Sequence, residues 1–205
     1  MIPLLELLAI LSTASYGVLL ARRQQMDFIG VFSIALIVAF GGGTLRDLLL
    51  DRHPIFWVGQ WHYPVIVFAV AIVTSLFRKI PAKVEKYLHV PDALGLGFYS
   101  ILGAGFALEE GTSWFVAALL GVVTGIFGGI FGDVICNRIP SVFRPATRLY
   151  ATCSFVGCWV FLLLRKVEPL PESVALWSGV VVIVALRLLA LKRDWRLPGH
   201  EPPVE

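Results

Sequence analysis

Charge is what this chain has least of. Asp, Glu, Lys and Arg make up 15% of its 205 residues, against 58% hydrophobic ones, and the mean hydropathy is +0.82. A water-soluble domain carries about a quarter charged residues, so a soluble fold is excluded. Cysteine is scarce as well. Cys136, Cys153 and Cys158 fall in or at apolar segments, make no disulfide framework and show no metal-ligand spacing. They read as small packing residues. The histidines, His53, His62, His89 and His200, form no ligand cluster. No phosphate loop or nucleophile elbow is present, so nothing points to an enzyme or to a cofactor. The net charge of +3 is accounted for by loop orientation, which leaves no basic patch for nucleic acid.

Long hydrophobic runs fill the space that charge leaves. Charge-poor stretches of spanning length predict an all-α polytopic membrane protein with seven transmembrane helices, at 3–21, 27–50, 62–77, 92–108, 113–136, 148–164 and 173–191. The third is the shortest. So little chain lies outside them that residues 1–205 read as a single transmembrane domain. The first run lacks a basic leader and a small-residue cleavage site, which argues against a removable signal peptide. Basic loop residues gather on one side, from Arg22 and Arg23 through Arg78, Lys79, Lys83 and Lys86 to Lys192, Arg193 and Arg196. The other side carries Arg52, Arg165 and Lys166 with the acidic Glu109 and Glu110. Positive loops stay cytoplasmic, so the N-terminus is expected outside and the C-terminus inside a plasma (inner) membrane. Arg78, Lys79, Lys83 and Lys86 are also candidates for contact with anionic lipid, although plain loop orientation explains them.

The chain also says one thing twice. Gly41-Gly42-Gly43-Thr44-Leu45-Arg46-Asp47 is answered by Phe127-Gly128-Gly129-Ile130-Phe131-Gly132-Asp133, 86 residues later. Without a gap, the same offset sets Gly17 on Gly103, Arg52 on Arg138, Pro54 on Pro140 and Glu6 on Asp92. The copies occupy about 3–80 and about 89–166, with three spans each. An odd number of spans makes the second copy enter from the opposite side, which gives a three-plus-three inverted repeat with the seventh helix outside it.

Three consecutive glycines weaken a helix by about 1 kcal/mol each relative to alanine. A break is therefore expected in the second and fifth spans, near the bilayer midplane, freeing backbone carbonyls towards a hydrated path. Gly41, Gly42, Gly43, Thr44, Arg46, Asp47, Gly128, Gly129 and Asp133 are the candidate ion-pathway residues. Phe40, Phe127, Thr124, Ser12, Ser15 and Ser100 are candidate lining. Inversion sends Asp47 and Asp133 towards opposite mouths, where a carboxylate concentrates cations. Arg46 either neutralises one carboxylate, holds the break in shape or bars the path. The competing reading stays open. Small residues every four positions also let helices pack closely with no ion involved, a lone Ser or Thr usually bonds its own helix, and Glu6 and Asp92 sit where helix-start carboxylates cap.

These paired elements, the Pro-x-x-Trp after the first of them, and Asp92-Ala93-Leu94-Gly95 opening the fourth span resemble prokaryotic members of the trimeric intracellular cation channel family. Those bacterial sequences are also known as a glycine-transporter family. The resemblance covers roughly residues 3–195. It implies a homotrimer in which each subunit has its own pore for K⁺ and Na⁺, lined by kinked second and fifth helices. A secondary transporter of glycine or another small solute is the alternative built on the same repeats. Many relatives carry Arg before the second Asp where this chain has Gly132, which weakens any role for a symmetric arginine pair.

Overall fold

The structure is a computed structural model that describes residues 2–77, 89–143, 148–167 and 169–196. Those residues hold eight α-helices: α1 (Ile2–Arg23), α2 (Phe28–Leu49), α3 (Phe56–Gly59), α4 (His62–Leu76), α5 (His89–Glu109), α6 (Trp114–Ile135), α7 (Ala151–Leu164) and α8 (Glu172–Arg193). α3 is a single turn. Each of the other seven falls on one expected span, but they are unequal. Five are long and apolar enough to cross a membrane, whereas α4 and α7, with 15 and 14 residues, are shorter. Fifteen residues rise about 22 Å, less than a hydrocarbon core of about 30 Å.

The duplication is written into the helix ends. Asp27 caps α2 by accepting from Gly30 N–H at 2.8 Å, and its counterpart Ser113 caps α6 by accepting from Val116 N–H at 3.4 Å. Both helices stop the same way. Asp51 and Asn137 take the left-handed conformation, at φ 52° and 53°, and Arg52 and Arg138 N–H close back on the carbonyls of Asp47 and Asp133, each at 2.8 Å. α1 and α5 end alike through Gln25 and Gly111, at φ 57° and 75°.

Between those ends α2 and α6 are continuous α-helix through Gly41–Gly43 and through Gly128 and Gly129. The expected break in the backbone ladder is absent. The glycines are spent on proximity instead. A Cβ on Gly42 would fall on the Thr124 carbonyl oxygen, and one on Gly128 would fall on the Val38 carbonyl oxygen. Gly42 and Gly128 are equivalent positions, and so are Val38 and Thr124. The crossing is reciprocal, and an absent side chain is its requirement.

Contacts between helix ends sort the ends onto two faces. On one, Tyr63 O–H donates to Glu6 at 2.6 Å, Arg52 pairs with Glu110 at 3.0 Å, Lys166 lies 4.2 Å over the Trp114 ring and Arg165 pairs with Glu172 at 3.1 Å. This face holds the starts of α1, α4, α6 and α8 and the ends of α2, α5 and α7. On the other, Arg22 donates to the carbonyls of Thr74 and Phe77, and Arg148 pairs with Asp194 at 2.7 Å. α2 and α6 therefore run antiparallel. α1, α2 and α4 pack together, as do α5, α6 and α7, and α8 lies against α5 and α7.

Candidate functional site

Where α1, α2, α5 and α6 meet, the glycine crossing leaves a narrow polar cleft. Its walls are Thr13, Tyr16, Val38, Gly42, Asp92, Leu96, Tyr99, Thr124, Gly125, Gly128, Gly129 and Tyr150. The space inside is about 10 Å³, enough for the centre of one water molecule. Its polar lining is mostly hydroxyl oxygen. Thr13 donates to the Ala9 carbonyl at 2.7 Å, Thr124 to the Leu120 carbonyl at 2.6 Å and Tyr99 to the Ala39 carbonyl at 2.5 Å. Each proton is thus used within the protein, and the oxygen keeps lone pairs for an acceptor role.

One residue of the lining is charged, and it is Asp92. Tyr150 O–H donates to its Oδ1 at 2.7 Å. Arg187 of α8 brings Nη2 to 3.5 Å from Oδ2. That guanidinium is buried, lies 4.4 Å over the Tyr150 ring, and gives Nη1 to the carbonyls of Arg148 and Leu149 at 3.1 and 3.0 Å. The first copy has a partial counterpart, because Glu6 takes the Tyr63 hydroxyl in the same way.

A model of the family described as "Glycine transporter" matches residues 3–79 and 89–166, once over each copy. The solved structure of the TRIC trimeric intracellular cation channel orthologue from Rhodobacter sphaeroides superposes with a TM-score of 0.87 and 32% identity, over 94% of this chain and 97% of that one. The chain belongs to the TRIC family. A second structure, from work on conductance through TRIC cation channels, aligns at a TM-score of 0.88 with 28% identity over 99% and 98% of the two chains. Among curated relatives, the inner membrane protein YadS of Escherichia coli K12 is 34% identical over 89% of this chain and 87% of its own length. A membrane protein of Vibrio cholerae is 36% identical over 95% and 82%.

Within this TRIC chain, the expected site divides. Gly42, Gly128, Gly129 and Thr124 line the cleft. Asp47 and Asp133 do not, and neither stands at an open mouth, since both are 2% exposed. Asp47 accepts from Arg46 Nε at 2.8 Å and from Phe56 N–H at 2.8 Å, while Asp133 accepts from Ser141 N–H at 2.9 Å. Each carboxylate reaches past its own helix to hold the first N–H of the turn after a proline, α3 in one copy and the 3₁₀ turn Ser141–Phe143 in the other. Helix starts leave such donors free, and a buried carboxylate serves them better than it serves an ion in transit. Arg46 neutralises Asp47 at 2.7 Å and packs 4.4 Å over Phe106, outside the cleft.

Phe40, Gly41 and Thr44 line a different space, an apolar groove of about 430 Å³ on the outer side of α2 beside Trp57 and Phe131. Gly43 backs onto Phe56. Ser12 and Ser15 bond their own helix at Leu8 and Leu11, Ser100 accepts from Ser154 at 2.7 Å, and Phe127 packs on Phe131. Arg78, Lys79, Lys83 and Lys86 lie outside the described residues. Sequence reasoning missed Thr13, Tyr16, Tyr99 and Tyr150 and read Asp92 as a cap. One signal was available: Thr13 and Tyr99 are the same repeat position, polar in both copies.

Proposed function

We propose that each subunit conducts monovalent cations, K⁺ or Na⁺, through the cleft at the α2–α6 crossing, and that the working assembly is a homotrimer in the inner membrane. The observation that carries this reading is a buried, hydroxyl-lined cleft whose single charged lining residue is a carboxylate. Hydroxyl oxygens replace part of a cation's hydration shell, and one negative charge in a low-dielectric wall favours cations over anions. Membership of the TRIC family and the likeness to cation channels support it. At about 10 Å³ the passage is shut, so conduction needs α2 and α6 to part at their glycines. Rigid-body separation of two smooth helix faces accomplishes this without breaking a backbone hydrogen bond.

The pathway thus differs from the one the sequence alone proposes. Gly42, Gly128, Gly129 and Thr124 stay, Thr13, Tyr16, Asp92, Tyr99 and Tyr150 join them, and Asp47 and Asp133 become supports for the post-proline turns. Purified protein in planar bilayers under a K⁺ gradient tests the reading. Unitary currents that reverse near the K⁺ equilibrium potential are expected. Saturable glycine counterflow without unitary currents would replace the channel with a transporter.

A further inference from the structure

α8 stands outside the repeat, yet it sends one buried arginine to the one carboxylate of the cleft. Three features of that contact are unusual. First, it has no equivalent in the other copy. Glu6 occupies the position of Asp92 and takes a tyrosine hydroxyl as Asp92 does, but among the described residues it pairs with no arginine. Second, the contact is loose. Nη2 stands 3.5 Å from Oδ2, whereas a charge-assisted bond closes to about 2.7–2.9 Å. Third, Arg187 is 5% exposed and its Nε has no hydrogen-bond partner. A buried donor without an acceptor is costly, so the guanidinium does not occupy its best position on the carboxylate. It is tethered from the other side, where the Arg148 and Leu149 carbonyls hold Nη1.

We propose that Asp92 is the cation-binding carboxylate of the cleft and that Arg187 is a tethered cation competing for it. In the closed cleft Arg187 cancels the charge of Asp92, and a monovalent cation that enters takes its place beside Oδ2 and the Tyr150 hydroxyl. The inference rests on the conduction reading above. It adds a selecting group and an internal competitor, and it gives α8 a part in controlling the path.

Two measurements on the full-length protein test it. In bilayers, Arg187→Met is expected to raise open probability roughly tenfold, as removal of a competing charge does, and Asp92→Asn is expected to lower the K⁺ over Cl⁻ permeability ratio. In thermal melts, K⁺ in place of N-methylglucamine is expected to stabilise Arg187→Met more than wild type, because the freed carboxylate binds the ion. The double variant Asp92→Asn with Arg187→Met buries no unpaired charge, so it keeps the test alive if the single arginine variant does not assemble. It is expected to be poorly selective and indifferent to K⁺ in the melt. An assembled Arg187→Met with wild-type open probability and melt overturns the competitor. Full cation selectivity in Asp92→Asn, or in the double variant, overturns the site. A wild type without current sinks the conduction reading itself.

Discussion

Two aspartates at the same repeat position do unequal work. Asp47 is bonded to a guanidinium that is 1% exposed, whereas the arginine nearest Asp133, Arg138, lies 4.0 Å away and is one-third exposed. Removing one partner of a buried ion pair leaves the other charge stranded. Asp47→Asn is therefore expected to destabilise the folded protein by about 3–5 kcal/mol. Asp133→Asn keeps an oxygen for Ser141 N–H and loses only the charge facing a distant, part-exposed arginine, so it is expected to cost about 1–2 kcal/mol at most. Thermal unfolding of both variants in detergent checks the order, and equal losses would contradict this account of Arg46. The sequence announces these aspartates loudly but not their task. A charged residue beside a glycine cluster looks the same whether it faces an ion or reaches back to hold a loop. The residue that faces the cleft, Asp92, looked ordinary because carboxylates at helix starts are common caps.

Among the elements, α2 and α6 decide most. Their glycines were legible as a pair, and their positions in the chain predict where the two helices cross. What the letters do not contain is the neighbour. Gly42 is fixed by a carbonyl 82 residues away in sequence, at Thr124, and a string of small residues reads alike as a break or as a close crossing. The structure separates glycines that need to be glycine from those that do not. Alanine at 42 or 128 would collide with backbone, but alanine at 129 would meet only the Tyr150 hydroxyl at 3.9 Å. Overpacking of this kind costs about 1–3 kcal/mol. Gly42→Ala and Gly128→Ala are thus expected to lower the melting temperature clearly, while Gly129→Ala leaves it near wild type. A helix weakened only by glycine propensity would instead gain stability from all three. The seven helix positions and the shortness of α4 were equally legible from hydropathy, but the shortness of α7 was not, because Leu149 and Tyr150 ahead of it extend its apolar run.

At the scale of the whole molecule, the ion pairs and ring contacts that join helix ends divide the protein into two faces, and the basic loops favour one of them. Gln24 belongs to the face with Arg22 and Arg148, Glu110 to the face with Arg52 and Lys166. Both are exposed, and all three native cysteines are buried. In intact cells, a membrane-impermeant maleimide is expected to label Glu110→Cys and to spare Gln24→Cys until the membrane is opened. The reverse pattern would turn the molecule over.

The reciprocal seat of Gly42 and Gly128 carries one more consequence. A contact in which each half offers the same glycine to the same carbonyl of the other is the kind an isologous dimer makes across its axis. Covalent linkage in one chain has kept that two-fold seat while the halves differ at other buried positions, with Arg46 matching Gly132 in register and Arg187 reaching only one carboxylate. At the crossing the side chains beside each carbonyl differ, Val38 in one half and Thr124 in the other, but the two glycines match, because altering either one means refitting the opposite half.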